Sequence, residues 1–198
     1  KRFEYLRHGA DWKEVVDNLD YFHKLVEERG LSIGITITVT VFNVMYLAEL
    51  HKVFEERWPK FLLFHNIANF PTWFNSNIFP EEAKPEILEP IKDLTQFREE
   101  YRDEIQGIIH HVMMPRNETV IPYGDSGEDT IDAEIEKRWF MFCKEIVAGD
   151  LYRKELFGDC FPELFTILVK HKSFNYRNIE YNVVNFPDYG KFDKGGLI

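Results

Sequence analysis

The segment LSIGITITVTVFN, from Leu31 to Asn43, is the feature that most constrains how this chain can fold. Its residues alternate without a break, and successive side chains on a β-strand leave opposite faces of the sheet. One face carries only aliphatic β-branched residues, namely Ile33, Ile35, Ile37, Val39 and Val41. The other face carries Ser32, Gly34, Thr36, Thr38 and Thr40. This period of two predicts a strand with one apolar face and one face of small, hydroxyl-bearing side chains.

Helical patterns flank this strand on both sides. We expect Asp11 to cap the first helix, with Glu14 reaching back to it, and Gly30 to end it. We expect Asn43 to end the strand and cap the second helix. That helix should stop before Pro59, because the residue preceding a proline is pushed out of the α region.

A second strand is predicted over residues 61–67, where the sequence reads FLLFHNI. A strand, a helix and a strand of these lengths make a βαβ unit, so the two strands should be parallel. Two parallel strands are too few for a stable sheet, since parallel sheets usually have more strands and are covered on both faces. No other strand pattern is evident, and we therefore expect the rest of the sheet upstream of Lys1.

The second half of the chain is predicted to be mainly helical, with polar segments between the helices. We expect helices over residues 80–94, with proline breaks at Pro85 and Pro90; from Thr95 to Pro115; from Asp129 or Thr130 to Gly149; and from Asp159 to about His171. The turn-rich residues 116–128 are expected to form a connection, and the residues after His171 an irregular tail.

Charge and composition exclude several classes of function. The net charge of −10 disfavours nucleic-acid binding, which depends on basic side chains that neutralise phosphates. No apolar run approaches the roughly 20 residues of a membrane span. Only Cys143 and Cys160 are present, and the chain opens without the apolar region of a signal peptide. These features favour a cytoplasmic protein.

Few of the reactive residue types stand in a catalytic or metal-binding pattern. The adjacent His110 and His111 would point about 100° apart on a helix, so we expect a structural or exposed role and no metal site. Cys143 is expected to be a packed thiol, and Cys160 is better explained by a hydrophobic helix start than by reactivity. Phosphate loops and the G-x-S-x-G elbow are missing from the sequence.

The polar residues at the strand ends are the remaining candidates for a site. In parallel α/β architectures, functional groups collect at the carboxyl ends of the strands. These positions hold Thr38, Thr40 and Asn43 after the first strand, and His65, Asn66 and Asn69 after the second. Asn43 alone could be a helix cap and His65 a buried core histidine, but together the six polar groups predict the wall of a small-molecule site.

Several segments resemble the second half of a radical S-adenosylmethionine (radical SAM) enzyme barrel. These are RFEYLRHGADWKEVVDNLDYF and ITITVTVFNVMYLAEL, in which Tyr5, Arg7 and Gly9 match a Tyr-x-Arg-x-Gly segment of that family. Further along, HNIANFPTWFNSNIFPEEAKPEI and FGDCFPELF look like the twitch-domain radical SAM proteins that phages often encode.

The resemblance implies roles for the strand-end residues and for Arg7. Arg7 would hold the carboxylate of S-adenosylmethionine, a suitable partner for an always-charged guanidinium. The cofactor pocket would be lined by Thr38, Thr40 and Asn43, and the substrate side by His65, Asn66 and Asn69. The fold would be α/β: residues 1–78 the parallel βαβ part of a partial barrel, and residues 79–198 a mainly helical extension with an irregular tail.

One departure from that family limits the expected activity. The C-x-x-x-C-x-x-C motif that binds the [4Fe–4S] cluster is absent, so we expect the cluster only with upstream residues and no catalysis by this chain alone. The parent enzyme would generate a radical on a substrate, with a peptide as one candidate. Two alternatives are a non-catalytic helical binding or assembly protein on the same scaffold, and a cofactor-independent α/β enzyme that uses His65 and Asn66.

Overall fold

A computed structural model describes residues 1–118 and 131–171 and has a mixed α/β fold in which helices dominate. The two strands are β1 (Gly34–Val39) and β2 (Leu62–Ile67). The helices are α1 (Arg2–Leu6), α2 (Trp12–Arg29), α3 (Leu47–Arg57), α4 (Lys84–Leu88), α5 (Arg102–Met113), α6 (Ile131–Arg153), α7 (Phe157–Cys160) and α8 (Pro162–Lys170). Short 3₁₀ turns join several of them.

The predicted parallel βαβ unit is confirmed. β1 and β2 pair in parallel, from Gly34 opposite Leu62 to Val39 opposite Ile67, and α3 lies between them in the chain. β1 is shorter than the predicted strand, because the chain turns directly after it: the backbone N–H groups of Asn43 and Val44 both donate to the carbonyl of Thr40.

The ends of α2 largely follow the prediction. The Asp11 carboxylate accepts a hydrogen bond of 2.8 Å from the backbone N–H of Lys13, and Gly30 adopts the left-handed conformation with φ of 64°. The bond expected from Glu14 back to Asp11 does not form within the described residues. Glu4 instead accepts from the backbone N–H of Trp12 at 3.4 Å, which ties α1 to the start of α2.

The helices of the second half differ from the predicted ones in length. The segment around Pro85 and Pro90 forms only α4 and a 3₁₀ turn, and α5 begins at Arg102 after two further 3₁₀ turns. The predicted end at Gly149 is wrong, since α6 continues to Arg153. Burial of the neighbouring residues Val147 and Asp150 holds this part of the helix in place. Most of the predicted connection, at residues 119–128, and the predicted tail after His171 lie outside the described residues.

A single hydrophobic cluster runs through both halves of the chain. Its aromatic centre lies where the turn after β1 meets α6, α7 and α8. The ring of Phe42 lies 5.5 Å from that of Phe142, 6.2 Å from that of Phe157 and 5.8 Å from that of Phe161, measured between centroids. Such aromatic contacts fix the turn after β1 against the helical region. Among the described helices, none has both the length and the apolarity needed to cross a membrane.

Candidate functional site

The face of the sheet opposite the core is exposed, and we call it the open face. Its paired residues are Gly34 with Leu62, Thr36 with Phe64, and Thr38 with Asn66. Leu62 and Phe64 remain 44% and 50% exposed. The open face therefore changes from apolar at the amino ends of the strands to polar at their carboxyl ends.

The backbone hydrogen bonds show which groups of β1 point away from β2. Leu62 and Ala68 donate to the carbonyls of Ile33 and Val39, at 3.0 and 2.9 Å. Odd-numbered residues of β1 therefore direct their backbone polar groups toward β2, and even-numbered residues direct theirs to the outer edge. Within the described part of the chain, no further strand pairs with that edge.

Asn43 closes the carboxyl end of this outer edge. Its side-chain Oδ1 accepts from the backbone N–H of Thr40 at 2.7 Å, and its Nδ2 donates to the carbonyl of Thr38 at 2.9 Å. The carboxamide thus replaces one residue of a neighbouring strand. Asn43 occupies the predicted N-cap position, before a 3₁₀ helix, but its side chain makes no capping hydrogen bond there.

The four predicted cofactor-binding residues differ in how much of their polar surface is free. The Thr40 hydroxyl accepts from the backbone N–H of Phe42 at 3.2 Å and also contacts Asn43 Oδ1 at 3.3 Å. Thr40 and Asn43 are therefore engaged with the turn itself. Thr38 is exposed on the open face, where its hydroxyl is accessible to a ligand.

Arg7 lies directly after α1, whose position is fixed by Tyr5. The Tyr5 hydroxyl donates to Asp150 Oδ1 at 2.7 Å, and the Tyr5 ring packs on Phe161 with 5.4 Å between centroids. The Arg7 side chain is exposed and has neither an ion pair nor a hydrogen bond to a described residue. The charge of the Arg7 guanidinium is therefore not compensated by a described residue, and Arg7 makes no hydrogen bond to Thr38.

His65 and Asn66 are separated by the sheet. Asn66 lies on the open face, whereas His65 pairs with Ile37 and points toward the core, with only 2% of its side chain exposed. His65 Nδ1 lies 2.6 Å from Glu104 Oε2, and its Nε2 lies 2.9 Å from Nε2 of His51. The second strand therefore contributes Asn66, and not His65, to the open face.

Sequence reasoning missed His51 and Glu104. His51 is 1% exposed, and burial, the neighbouring His65 and then Arg98 lower its pKa to about 4, so it is neutral at pH 7. Its spacing from Leu47 on the apolar stripe of α3 is a signal that could have placed it inside the protein. Glu104 gives no such signal, because only the tertiary fold brings α5 to β2.

Asn69 belongs to a separate network beyond the end of β2. Its Oδ1 accepts from Asn75 Nδ2 at 3.2 Å, and Asn75 Oδ1 lies 2.8 Å from His111 Nε2. Burial lowers the pKa of His111, so its ring is a neutral hydrogen-bonding group. The predicted structural role of His111 is thus consistent with its position, and Asn69 serves to order the loop after β2.

The residues described do not fit an iron–sulfur cluster. Cys143 and Cys160 are both buried, and burial raises the pKa of each thiol, which disfavours the thiolate form that ligates metals. Across residues 1–118 and 131–171, no three His, Cys, Asp or Glu side chains come together as a metal site. A cluster would have to be held by other residues.

Comparisons with known proteins give no relative for this chain: no family model, no curated protein and no solved structure matches it.

Proposed function

We propose that residues 1–78 form the carboxyl-terminal part of a partial α/β barrel of the radical SAM type, and that the open face lines its S-adenosylmethionine pocket. The polarity gradient of the open face carries this proposal. Gly34, Leu62 and Phe64 make its lower part apolar, as in the packed interior of a barrel, and Thr38 and Asn66 place polar groups at the carboxyl ends, where barrel enzymes bind ligands.

The edges of the sheet also support a barrel. A parallel pair with one open face and one unpaired edge is an unusual endpoint for a sheet, since parallel sheets are multi-stranded. Side chains close the outer edge of β2, whereas Asn43 is the one described residue whose side chain bonds the outer edge of β1. Further parallel strands would therefore add beside β1, and β2 would be the last strand of the barrel.

Two residues would contact the cofactor, and two would position them. By the resemblance to the family, the Arg7 guanidinium pairs with the cofactor carboxylate, and the Thr38 hydroxyl contacts its sugar or base. Thr40 and Asn43 hold the turn at the end of β1 through their mutual hydrogen bonds. The cluster that would cleave the cofactor belongs to another part of the enzyme, and substrate would reach the site over Asn66.

Binding of S-adenosylmethionine, measured by titration calorimetry, tests the proposal. We expect Arg7→Ala to weaken binding about tenfold or more, because it removes a charge-assisted bond worth roughly 1.5–3 kcal/mol. Thr38→Val, which keeps the shape of the side chain, should weaken it by a few-fold. Arg29→Ala is the matched control, since Arg29 is also exposed at a helix end. Absence of binding, or an equal loss in the Arg29 variant, would refute the assignment.

The exposed apolar side chains favour one alternative, a non-catalytic binding or assembly protein. Leu62 and Phe64 are about half exposed on the open face, and such side chains are common at protein interfaces. In that case Arg7→Ala leaves association with a protein partner unchanged, while Phe64→Ser abolishes it. A pull-down and the calorimetric titration on the same variants separate the two functions.

A further inference from the structure

Three ionisable side chains from three elements form a continuous chain across the outer edge of β2. Glu104 from α5 lies 2.6 Å from His65 Nδ1, and His65 Nε2 lies 2.9 Å from Nε2 of His51 in α3. The side chain of Glu104 is 44% exposed, that of His65 2%, and His51 as a residue 1%. The chain therefore leads from solvent to the core.

The start of α5 and the 3₁₀ turn before it, which ends at Tyr101, close the backbone of β2. The backbone N–H of Leu63 donates to the Tyr101 hydroxyl at 3.1 Å, and that of His65 donates to Glu104 Oε2 at 3.3 Å. Glu104 thus accepts from both the ring and the backbone of His65. The start of α5 takes the place that a neighbouring strand would have at this edge.

The contact between the two histidines holds a single proton. With no added proton or with one, one ring donates its Nε2–H and the other accepts at Nε2, and the tautomers decide which ring is the donor. A second added proton would place two N–H groups and two positive charges opposite each other. It would also leave a charged N–H at His51 Nδ1, a buried atom that has no hydrogen-bond partner among the described residues.

Among residues 1–118 and 131–171, no negatively charged side chain is in contact with the His51 ring. The rings of Phe97 and Tyr101 lie 4.9 and 5.3 Å from it, between centroids. The charged neighbour is Arg98, which itself lowers the pKa of His51.

The carboxylates that contact Arg98 or His65 are already engaged. Glu55 of α3 and Glu100 lie 3.9 and 3.4 Å from the Arg98 guanidinium, and Glu104 of α5 pairs with His65. β2 contributes His65 alone to this group of charges. If both imidazoles are protonated, the positive charge on His51 is therefore not neutralised by a neighbouring carboxylate among the described residues.

We propose that Glu104, His65 and His51 form an acid-released clasp that holds α5 against the outer edge of β2. When both histidines are protonated, repulsion between the two rings displaces His65 together with the Glu104 side chain bound to it, and the clasp opens. Opening would expose the backbone N–H groups of Leu63 and His65, which then become available to another strand. Since the pKa of His51 is lowered to about 4, the clasp is closed at pH 7 and is released as the pH falls toward that value.

Amide hydrogen exchange of the full chain, corrected for the intrinsic effect of pH, tests the clasp. Between about pH 7 and about pH 4.5, we expect protection in α5 and β2 to fall at least about tenfold while that in α2 is retained. His51→Leu, which fills the buried site without a titrating group, should keep α5 protected. His110→Gln is the control, because His110 is exposed on the same helix and should behave as the wild type.

Two outcomes would overturn the clasp: protection in α5 that is independent of pH, or acid release in His51→Leu at the same pH as in the wild type. Should His51→Leu fail to fold, ring nitrogen NMR of the wild type decides. The proposal requires that the His51–His65 pair carry no more than one added proton wherever α5 is protected. A doubly charged pair with α5 still protected would contradict it. None of these results depends on cofactor binding.

Discussion

The two outer edges of one small sheet are closed in different ways. Along β2, the hydroxyl of Tyr101 and the carboxylate of Glu104 accept the outward N–H groups of Leu63 and His65. Along β1, the carboxamide of Asn43 is the one side chain of the described residues that bonds the edge, at the carboxyl end of the strand. The β2 edge is covered by the chain that follows it, whereas the part of the protein that the structure describes leaves most of the β1 edge without a partner.

This difference indicates where the sheet ends and how each edge responds to conditions. An edge covered by side chains and a helix is protected against further pairing, whereas a bare edge beside an open face is where strands can add. The closure of β2 also contains ionisable groups, while that of β1 relies on a neutral amide. Acid should therefore act on β2 and leave β1 unchanged.

The largest expected effect is the loss of stability in acid. The folded-state pKa of His51, about 4, lies below its ordinary value of 6.5, so the unfolded chain takes up the proton first. Its contribution to the free energy of unfolding is complete above pH 6.5 and is lost as the pH falls through about 4. At roughly 1.4 kcal/mol for each pKa unit between 6.5 and about 4, the loss amounts to about 3.5 kcal/mol.

Urea unfolding at a series of pH values measures this loss. His51→Leu should flatten the profile in this range, apart from the contributions of other groups, and His110→Gln should leave it as in the wild type. An unchanged slope in His51→Leu would show that the acid sensitivity arises elsewhere in the protein.

The next effect concerns the Asn43 closure of β1. Asn43→Ala should lower the free energy of unfolding by about 2 kcal/mol, because it leaves the N–H of Thr40 and the carbonyl of Thr38 without their partner. The matched control is Asn66→Ala, which truncates an exposed asparagine on the open face and should cost less than about 0.5 kcal/mol. Equal losses in the two variants would mean that the carboxamide of Asn43 does not stabilise the edge.

Local patterns in the sequence were sufficient to predict the first strand and the end of the helix before it. The alternation through Ile35 and Ile37 predicted β1, and the left-handed Gly30 was predicted at the end of α2, because both depend on residues close in sequence. The strand period also constrains the site residues. His65 and Asn66 are adjacent on a strand and so must lie on opposite faces, which means that the same period predicts only one of them on the open face.

The closure of each edge could not be predicted in this way. Asn43 could bond either to the helix after it or to the strand before it, and only the turn at Thr40 decides between them. Tyr101 and Glu104 lie more than thirty residues after β2 in the sequence, and their contacts depend on how α5 packs. The site residues of the open face follow from local pattern, whereas the clasp is a property of tertiary structure.

The smallest expected effect tests the apolar end of the open face. A Cβ added at Gly34 would lie 2.6 Å from Cε2 of Phe64, so the ring has to move in Gly34→Ala. Because Phe64 is 50% exposed, its ring can swing into solvent, and we expect a cost of about 1 kcal/mol. In a Phe64→Ala background the cost should vanish, since alanine restricts the unfolded chain more than glycine does.

A double-mutant cycle measured by urea unfolding isolates the coupling free energy between Gly34→Ala and Phe64→Ala. A cost of Gly34→Ala that is present with Phe64 and absent in Phe64→Ala shows that the ring of Phe64 covers the backbone of β1 in solution. The lower part of the open face is then partly protected by its own side chains. Additive effects would show that the ring does not lie there. In that case the apolar end would need a partner from outside the sheet, which would favour an assembly role over a barrel interior.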